Sequence, residues 1–267
     1  MIPSPDASAL LESVHLVRAG DGPPVALAHG AGGGVLANFA TVIEHFRAER
    51  SLIGVDYPGS GDTPVASTPL SLEALADAVV EAMVTVGYER FPILGLSLGT
   101  AVAVTAAVRH PDRVTGLVLT VGLATADMQL TSLFAVRRRL VELREWDALA
   151  HLMLYATSPG TLSDISMEER DAFLVQMGEK YPVKTAAQSE LAATVDIEHL
   201  LPRLNLPALV IAAGQDRFVL PSTTRALADG IAGAEMIEYP DAGHIFTPGE
   251  TNQWIEDIGK FLRQHRL

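Results

Sequence analysis

Two segments carry residue types able to do chemistry. In Ile93-Leu94-Gly95-Leu96-Ser97-Leu98-Gly99 a serine sits in the spacing G-x-S-x-G, where an apolar run meets an amphipathic one. A serine at the tip of such a strand-to-helix turn takes a strained backbone. The residues two before and two after it must be small so that strand and helix can approach closely. The turn lifts the hydroxyl above the sheet edge and aims the following backbone N–H groups, at the positive end of the helix, toward the same point. A nucleophile and an anion site are built together. Serine is a poor nucleophile until a base takes its proton, so a histidine must lie within reach, with a carboxylate to fix its tautomer. Eight histidines compete for that role: His15, His29, His45, His110, His151, His199, His244 and His265.

The second segment is His29-Gly30-Ala31-Gly32-Gly33-Gly34. As an oxyanion loop, its glycines let the backbone bend so that the N–H of Ala31 or Gly32 joins that of Leu98 on a developing negative oxygen. As a phosphate loop it fails, because no Gly-Lys-Ser/Thr follows. A dinucleotide reading has more in its favour: Gly30 and Gly32 begin G-x-G-x-x-G after a strand, and Asp56 ends the next strand. Val35 decides against it, since it occupies the place where a small residue is needed for tight helix packing, and Ser97 would go unexplained. His29 then braces the loop by hydrogen bonds or is a buried packing residue. Asp56 anchors the tight Pro58-Gly59-Ser60-Gly61 turn.

The elements that must position these residues read as alternating strands and helices. Short runs rich in Val, Ile and Leu predict strands near Val14–Val17, Val25–Ala28, Leu52–Val55, Ile93–Leu96, Gly116–Thr120, Ala208–Ala213 and Glu235–Tyr239. Helices are predicted between them, best at Leu72–Val86, Leu98–His110, Thr223–Ile231 and Thr251–His265, the first with Ser71 as N-cap. That alternation implies an α/β protein with a mainly parallel, twisted sheet flanked by helices. One interval breaks it. From about residue 121 to 206 no strand is predicted, and several helices are, including Met128–Arg144 and Met167–Lys180. An all-helical insertion between two strands of one sheet reads as a lid on a single domain spanning 1–267.

Composition narrows the chemistry. The chain has 267 residues, 48% hydrophobic, with a formal charge of −13 and no cysteine. Thiolate nucleophiles, thiolate metal sites and disulfides are excluded. The acidic excess disfavours nucleic acid and anionic membranes, both of which need a dense positive field. Met1 to Arg18 lacks the basic start, apolar stretch and cleavage site of an export signal, and no apolar run is long enough to span a bilayer. The expectation is a cytoplasmic protein, monomer or homodimer, needing no metal or organic cofactor.

With these segments in place, the sequence resembles the α/β-hydrolase superfamily, with Gly95-Leu96-Ser97-Leu98-Gly99 as its nucleophile elbow. The resemblance covers nearly the whole chain. It includes His29-Gly30, the Asp56-Tyr57-Pro58-Gly59-Ser60-Gly61-Asp62-Thr63 loop and Asp241-Ala242-Gly243-His244. Thr100 departs from the pattern, standing where many members have a second glycine, as does Thr63 where serine is common. The resemblance implies the chain order serine, acid, histidine. Only late histidines then qualify, and His265, third from the end, reads as frayed and exposed. His244, in a turn-rich loop after Glu235–Tyr239, is the implied base. Asp216 is the implied acid, because it lies just past the apolar strand Ala208–Ala213, at the edge where parallel sheets place their sites. Asp127 is the runner-up, and Asp241 suits a turn.

The reaction so implied is hydrolysis of a carboxylic ester, lactone or thioester through Ser97, His244 and Asp216, with the N–H groups of Ala31 and Leu98 as oxyanion hole. A carbon–carbon bond hydrolase or cofactor-free perhydrolase would use the same triad. A ligand-binding member with little turnover is the rival from another class. Substrate contacts are expected from Gly32, from the lid residues Met128, Phe134 and Met153, and from Phe246. They give an apolar pocket for a small hydrophobic acyl substrate and water. Arg137-Arg138-Arg139, with Arg144, form the one basic cluster, on a predicted lid helix. The bland reading is a solvated face. The sharper one is a dock for an acyl-carrier protein or a coenzyme A thioester.

Overall fold

The computed structural model describes residues 13–180 and 183–267. Of the expectation for Met1 to Arg18, residues 1–12 therefore lie outside the described residues. Seven strands, β1 (Leu16–Ala19), β2 (Pro24–Ala28), β3 (Ser51–Val55), β4 (Phe91–Leu96), β5 (Val114–Thr120), β6 (Ala208–Ala213) and β7 (Glu235–Tyr239), form one sheet in the order β1-β3-β2-β4-β5-β6-β7. Only β1 runs antiparallel, against β3; every other pairing is parallel.

Alternation along the strands sorts side chains onto two covered faces. Val25, Leu27, Leu94, Val118 and Ile211 pack with helices α1 (Val35–Phe46) and α10 (Pro248–Gln264). Ala26, Ala28, Ile93, Leu117 and Val210 pack with α2 (Leu72–Thr85), α3 (Leu98–Arg109) and α9 (Pro221–Asp229). Helix α10 shows why it binds the sheet. Trp254, Ile255, Ile258, Phe261 and Leu262 recur at helical spacing and are all buried, each worth roughly 1.5–3 kcal/mol against exposure.

Both α9 and α10 begin two to three residues earlier than their apolar periodicity predicts, because each opens on a proline at its first turn. A proline there gives up only an N–H that has no partner anyway. In α10 the start is reinforced by a capping box, with Thr247 and Glu250 bonding each other's backbone N–H at 2.7 and 3.3 Å. His265 is not frayed: its Nε2 sits 2.6 Å from Glu235 on β7 and its ring packs on Phe261.

Between β5 and β6 the chain runs through α4 (Met128–Leu143), α5 (Trp146–Met153), α6 (Pro159–Asp164), α7 (Met167–Lys180) and α8 (Ala186–Ala192). The two ends of this helical segment are zipped together by Ala126 N–H to Val195 O at 2.8 Å and Ile197 N–H to Ala124 O at 2.7 Å. No α-helix among the described residues is long and apolar enough to cross a membrane.

Candidate active site

Register brings the site together. Ala28 of β2 lies beside Gly95 of β4, Leu96 beside Thr120 of β5, and Ala213 of β6 beside Tyr239 of β7. The loops after β2, β4, β6 and β7 therefore leave one edge of the sheet. Helices α1 and α3 depart from that edge onto opposite faces, opening a crevice between the glycine loop and the serine turn.

Ser97 has φ 52° and ψ −119°, a left-handed conformation unusual for a residue with a Cβ. The turn around it holds this geometry in place. Ser97 N–H donates to Thr120 O at 3.0 Å. The Thr100 hydroxyl donates to Ser97 O at 2.7 Å. A Cβ on Gly95 would lie 2.6 Å from Gly99 O, and one on Gly99 would collide with Ala28 O at the end of β2. The second glycine is therefore demanded as much by the neighbouring strand as by the elbow's own. The departure at Thr100 is accommodated by Gly122, where a Cβ would meet the threonine side chain at 2.5 to 2.8 Å.

His244 Nδ1 lies 2.7 Å from Asp216 Oδ2. An ionised carboxylate only accepts, so Nδ1 carries the proton and Nε2 presents its lone pair. Asp216 is itself fixed: its other oxygen accepts from Phe218 N–H at 2.7 Å and Val219 N–H at 3.0 Å. The His244 ring stacks on Phe218 at 5.4 Å. Its loop is docked on the helical segment, with Ile245 N–H bonding Ala156 O at 2.9 Å and a Cβ on Gly243 meeting Ser158 N at 2.5 Å. The runner-up acid lies elsewhere. Asp127 caps α4, accepting from Leu130 N–H at 2.8 Å and from the Thr223 hydroxyl at 2.6 Å.

The glycine loop is held from several sides. His29 Nδ1 bonds Gly30 O at 2.8 Å, its Nε2 accepts from Tyr57 N–H at 2.9 Å, and the ring stacks on Tyr57 at 3.8 Å. It braces the loop and packs at once, and full burial pushes its pKa down to about 4, so it is neutral near pH 7. Asp56 does more than anchor the following turn, where its carbonyl accepts from the Thr63 hydroxyl at 2.8 Å. Its carboxylate accepts from Val35 N–H at 2.7 Å, capping α1 where Gly34 has no side chain to do so. Gly30 N–H donates to Asn38 at 2.7 Å, and Gly32 N–H donates to Gln188 Oε1 at 3.0 Å. That assignment removes Gly32 as an anion donor. Ala31 N–H has no acceptor among the described residues, and Leu98, first in α3, has no intrahelical carbonyl to bond.

A cavity of about 480 Å³ lies over this edge. Ser97, His244, Ala31 and Gly32 line it, together with Phe134, Met153 and Phe246, and Leu130, Leu133 and Leu152 add to its apolar wall. Met128 does not join them. As the first residue of α4 it is 82% exposed and lies outside the cavity lining, because a helix start directs successive side chains to different sides. The basic cluster divides for the same reason. Arg138 and Arg139 are exposed and lie 3.9 and 3.1 Å from Glu142, whereas Arg137 is buried and lines the cavity. Asn38 and Gln188 went unrecognised in the sequence. Gln188 lies 156 residues from the glycine it holds, and no local pattern signals it. Among the described residues, no group of three or more His, Cys, Asp or Glu is placed to hold a metal ion.

The mostly parallel seven-stranded sheet, with a strained serine turn at its edge, is the α/β-hydrolase fold. The sequence profile described as alpha/beta hydrolase fold matches residues 23–248, and the chain belongs to that family. It is 26% identical over 245 residues to pyrrolizixenacetamide deacetylase of Xenorhabdus hominickii, covering 91% of this chain and 92% of that one. It is 30% identical over 201 residues to pimeloyl-[acyl-carrier protein] methyl ester esterase of Neisseria meningitidis, covering 71% of this chain and 61% of that one. A thermophilic esterase from Thermogutta terrifontis has a similar structure, with a TM-score of 0.79 and 26% identity over 95% of this chain and 94% of that one. The names of these relatives are those of hydrolases.

Proposed function

We propose that this chain is a serine hydrolase cleaving a small carboxylic ester, lactone or thioester. The observation that carries the reading is one cavity lined by both the strained Ser97 and His244, with His244 bonded on its far nitrogen to the immobilised Asp216. Ser97 Oγ attacks the carbonyl carbon as His244 Nε2 takes its proton. The N–H groups of Ala31 and Leu98 hold the oxyanion, and His244 returns the proton to the departing alcohol or thiol. Water, activated by the same histidine, then releases the acid. The helices between β5 and β6 serve as a lid, supplying the apolar ceiling through Leu130, Leu133, Phe134, Leu152 and Met153. Arg138 and Arg139 offer a carrier protein little, since Glu142 already faces both.

A fluorophosphonate probe, read by mass spectrometry on the Ser97 peptide, tests the reading. Labelling of the wild type and none of Ser97→Ala is expected. Labelling that survives Ser97→Ala, or an unlabelled wild type, would refute the nucleophile and favour a ligand-binding protein. A panel of esters, lactones, thioesters and diketones then assigns the bond. Amides belong in it because one relative is named a deacetylase.

A further inference from the structure

The cavity has two unlike walls. Leu130, Leu133, Phe134, Leu152 and Met153 make its helical side largely apolar, whereas α1 contributes Asn38 and Thr41, one helical turn apart on one face. Asn38 is half-buried, and the glycine loop orients its amide: Gly30 N–H only donates, so the amide oxygen meets it at 2.7 Å and Nδ2 is left outside that bond. The amide fills the space that a side chain at residue 33 would need, with Nδ2 2.7 Å from a Cβ placed on Gly33. A Cβ on Gly30 would lie 3.2 Å from Ser97 Cβ and 3.4 Å from Asn38 Oδ1, so the nucleophile and the amide flank one backbone position. Among the described residues nothing accepts from Asn38 Nδ2, and the exposed Thr41 hydroxyl has no partner.

Holding the glycine loop needs only an oxygen. A carboxylate at residue 38 would accept the same N–H, and near the start of α1 it would also be favoured by the positive end of the helix. Asparagine forgoes that and is itself a poor helix former. What it adds is a pair of N–H donors at the cavity wall, fixed before any substrate arrives, so that binding spends no entropy on ordering them.

We propose that Asn38 is a specificity-determining residue whose Nδ2, together with the Thr41 hydroxyl, binds a neutral acceptor oxygen of the substrate, such as a keto, amide or hydroxyl oxygen near the reacting carbonyl. Neither residue carries a charge, so the group they suit is uncharged as well. The preferred substrates are then esters, lactones or thioesters with an apolar part against the helical side and an oxygen-bearing part against α1. The acceptor sits on either the acyl or the alcohol side, and substrate pairs separate the two.

The proposal rests on the hydrolase reading, and the two fail differently. Binding to Ser97→Ala, which needs no turnover, is measured by calorimetry. Methyl 4-oxopentanoate is compared with methyl 4-methylpentanoate, which exchanges a keto oxygen for a methyl group on the acyl side. The alcohol side is compared in the same way with 2-oxopropyl acetate and isobutyl acetate. In one pair, the affinity of the keto ester relative to its partner is expected to fall about three- to tenfold when Asn38→Asp is added, as for the loss of one neutral hydrogen bond. Asn38→Asp keeps an acceptor for Gly30 N–H, so a residue serving only the loop would leave that ratio unmoved. Asn38→Leu removes the donor without adding a charge and should lower the ratio equally. Thr41→Val, at a residue with no hydrogen bond to the loop, should lower it by less. A ratio unmoved by Asn38→Asp in both pairs, or moved by it and by neither uncharged variant, would overturn the proposal. If Asn38→Leu fails to fold, Thr41→Val supplies the uncharged comparison.

In the active enzyme the same fall is expected in the ratio of kcat/KM values, each divided by the ester's rate with hydroxide to remove the electronic effect of the ketone. A purely structural asparagine would instead slow both esters of a pair alike. Hydrolysis with the ratios unmoved overturns this proposal alone. Absence of any hydrolysis, with the binding ratios falling as expected, overturns the hydrolase reading alone.

Discussion

Replacing Gln188 with leucine tests whether the helical segment builds the oxyanion site. The Gln188 amide accepts from Gly32 N–H at 3.0 Å and donates to Pro58 O at 3.0 Å and Ser60 Oγ at 2.8 Å, so one side chain of α8 clamps the glycine loop to the loop after β3. Leucine matches its bulk and makes none of these bonds. Pro58 O and Ser60 Oγ are buried, and at roughly 1–3 kcal/mol for each unsatisfied group the variant should lose about 2–6 kcal/mol. A typical domain survives that, with 5–15 kcal/mol at its disposal. The effect on rate comes from geometry. Once Gly32 is released, the preceding peptide is free to rotate and the Ala31 N–H no longer points at a fixed place. Losing one such donor costs about 10² to 10³ in kcat. Gln188→Glu should recover much of this, since a carboxylate still accepts from Gly32 N–H and from the Ser60 hydroxyl. Steady-state kinetics on an activated ester, with circular dichroism to confirm folding, is the assay. A folded Gln188→Leu enzyme with kcat within about threefold of wild type, or a loss confined to KM, would refute the reasoning.

The two aspartates beyond the serine should separate cleanly. Asp216→Asn lowers kcat by several orders of magnitude, because the amide cannot hold the required His244 tautomer. Asp127→Ala leaves kcat nearly unchanged but lowers stability by about 0.5–2 kcal/mol, the usual cost of a lost N-cap. Denaturant melts and turnover measured together check both, and the opposite pattern would move the acid to Asp127. Acid stability should report His29. Its folded pKa of about 4 lies below the ordinary 6.5, so the unfolded chain binds the extra proton. Its contribution is complete above 6.5 and is lost as pH falls toward 4, amounting to about 3 kcal/mol. Urea unfolding across that range should show this slope in the wild type and a flatter one in His29→Gln. An unchanged slope would mean that the imidazole is not kept neutral by burial.

Much of this protein was legible in one dimension because the signals are local. Apolar runs located the inner strands, since a strand buried on both faces is a continuous apolar segment, whereas the partly exposed edge strands β1 and β7 are less apolar, and β1 is displaced by two residues. Ser97 was readable because a strained turn demands glycines at fixed offsets, and those offsets are sequence. The order of the family pattern pointed to Asp216 and His244, and the structure adds the 2.7 Å bond that joins them. Helix starts were less readable where a proline opened them, because the same residue also breaks helices.

Tertiary structure decided what depends on direction and on distant partners. Three consecutive arginines look equivalent in sequence, yet the rotation of a helix turns Arg137 into the cavity and Arg138 and Arg139 outward. Met128 is apolar and in the right helix, and it faces outward for the same reason. The sequence assigns the oxyanion to Ala31 and Leu98 and a substrate contact to Gly32, and only the fold shows that Gln188, from the far helical segment, takes the Gly32 N–H. Residue type and spacing determine which chemistry is available, because those are properties of the chain. Which N–H points into the cavity, and which charge is taken out of water beside it, is settled only when segments far apart in sequence compete for the same hydrogen bonds and the same space.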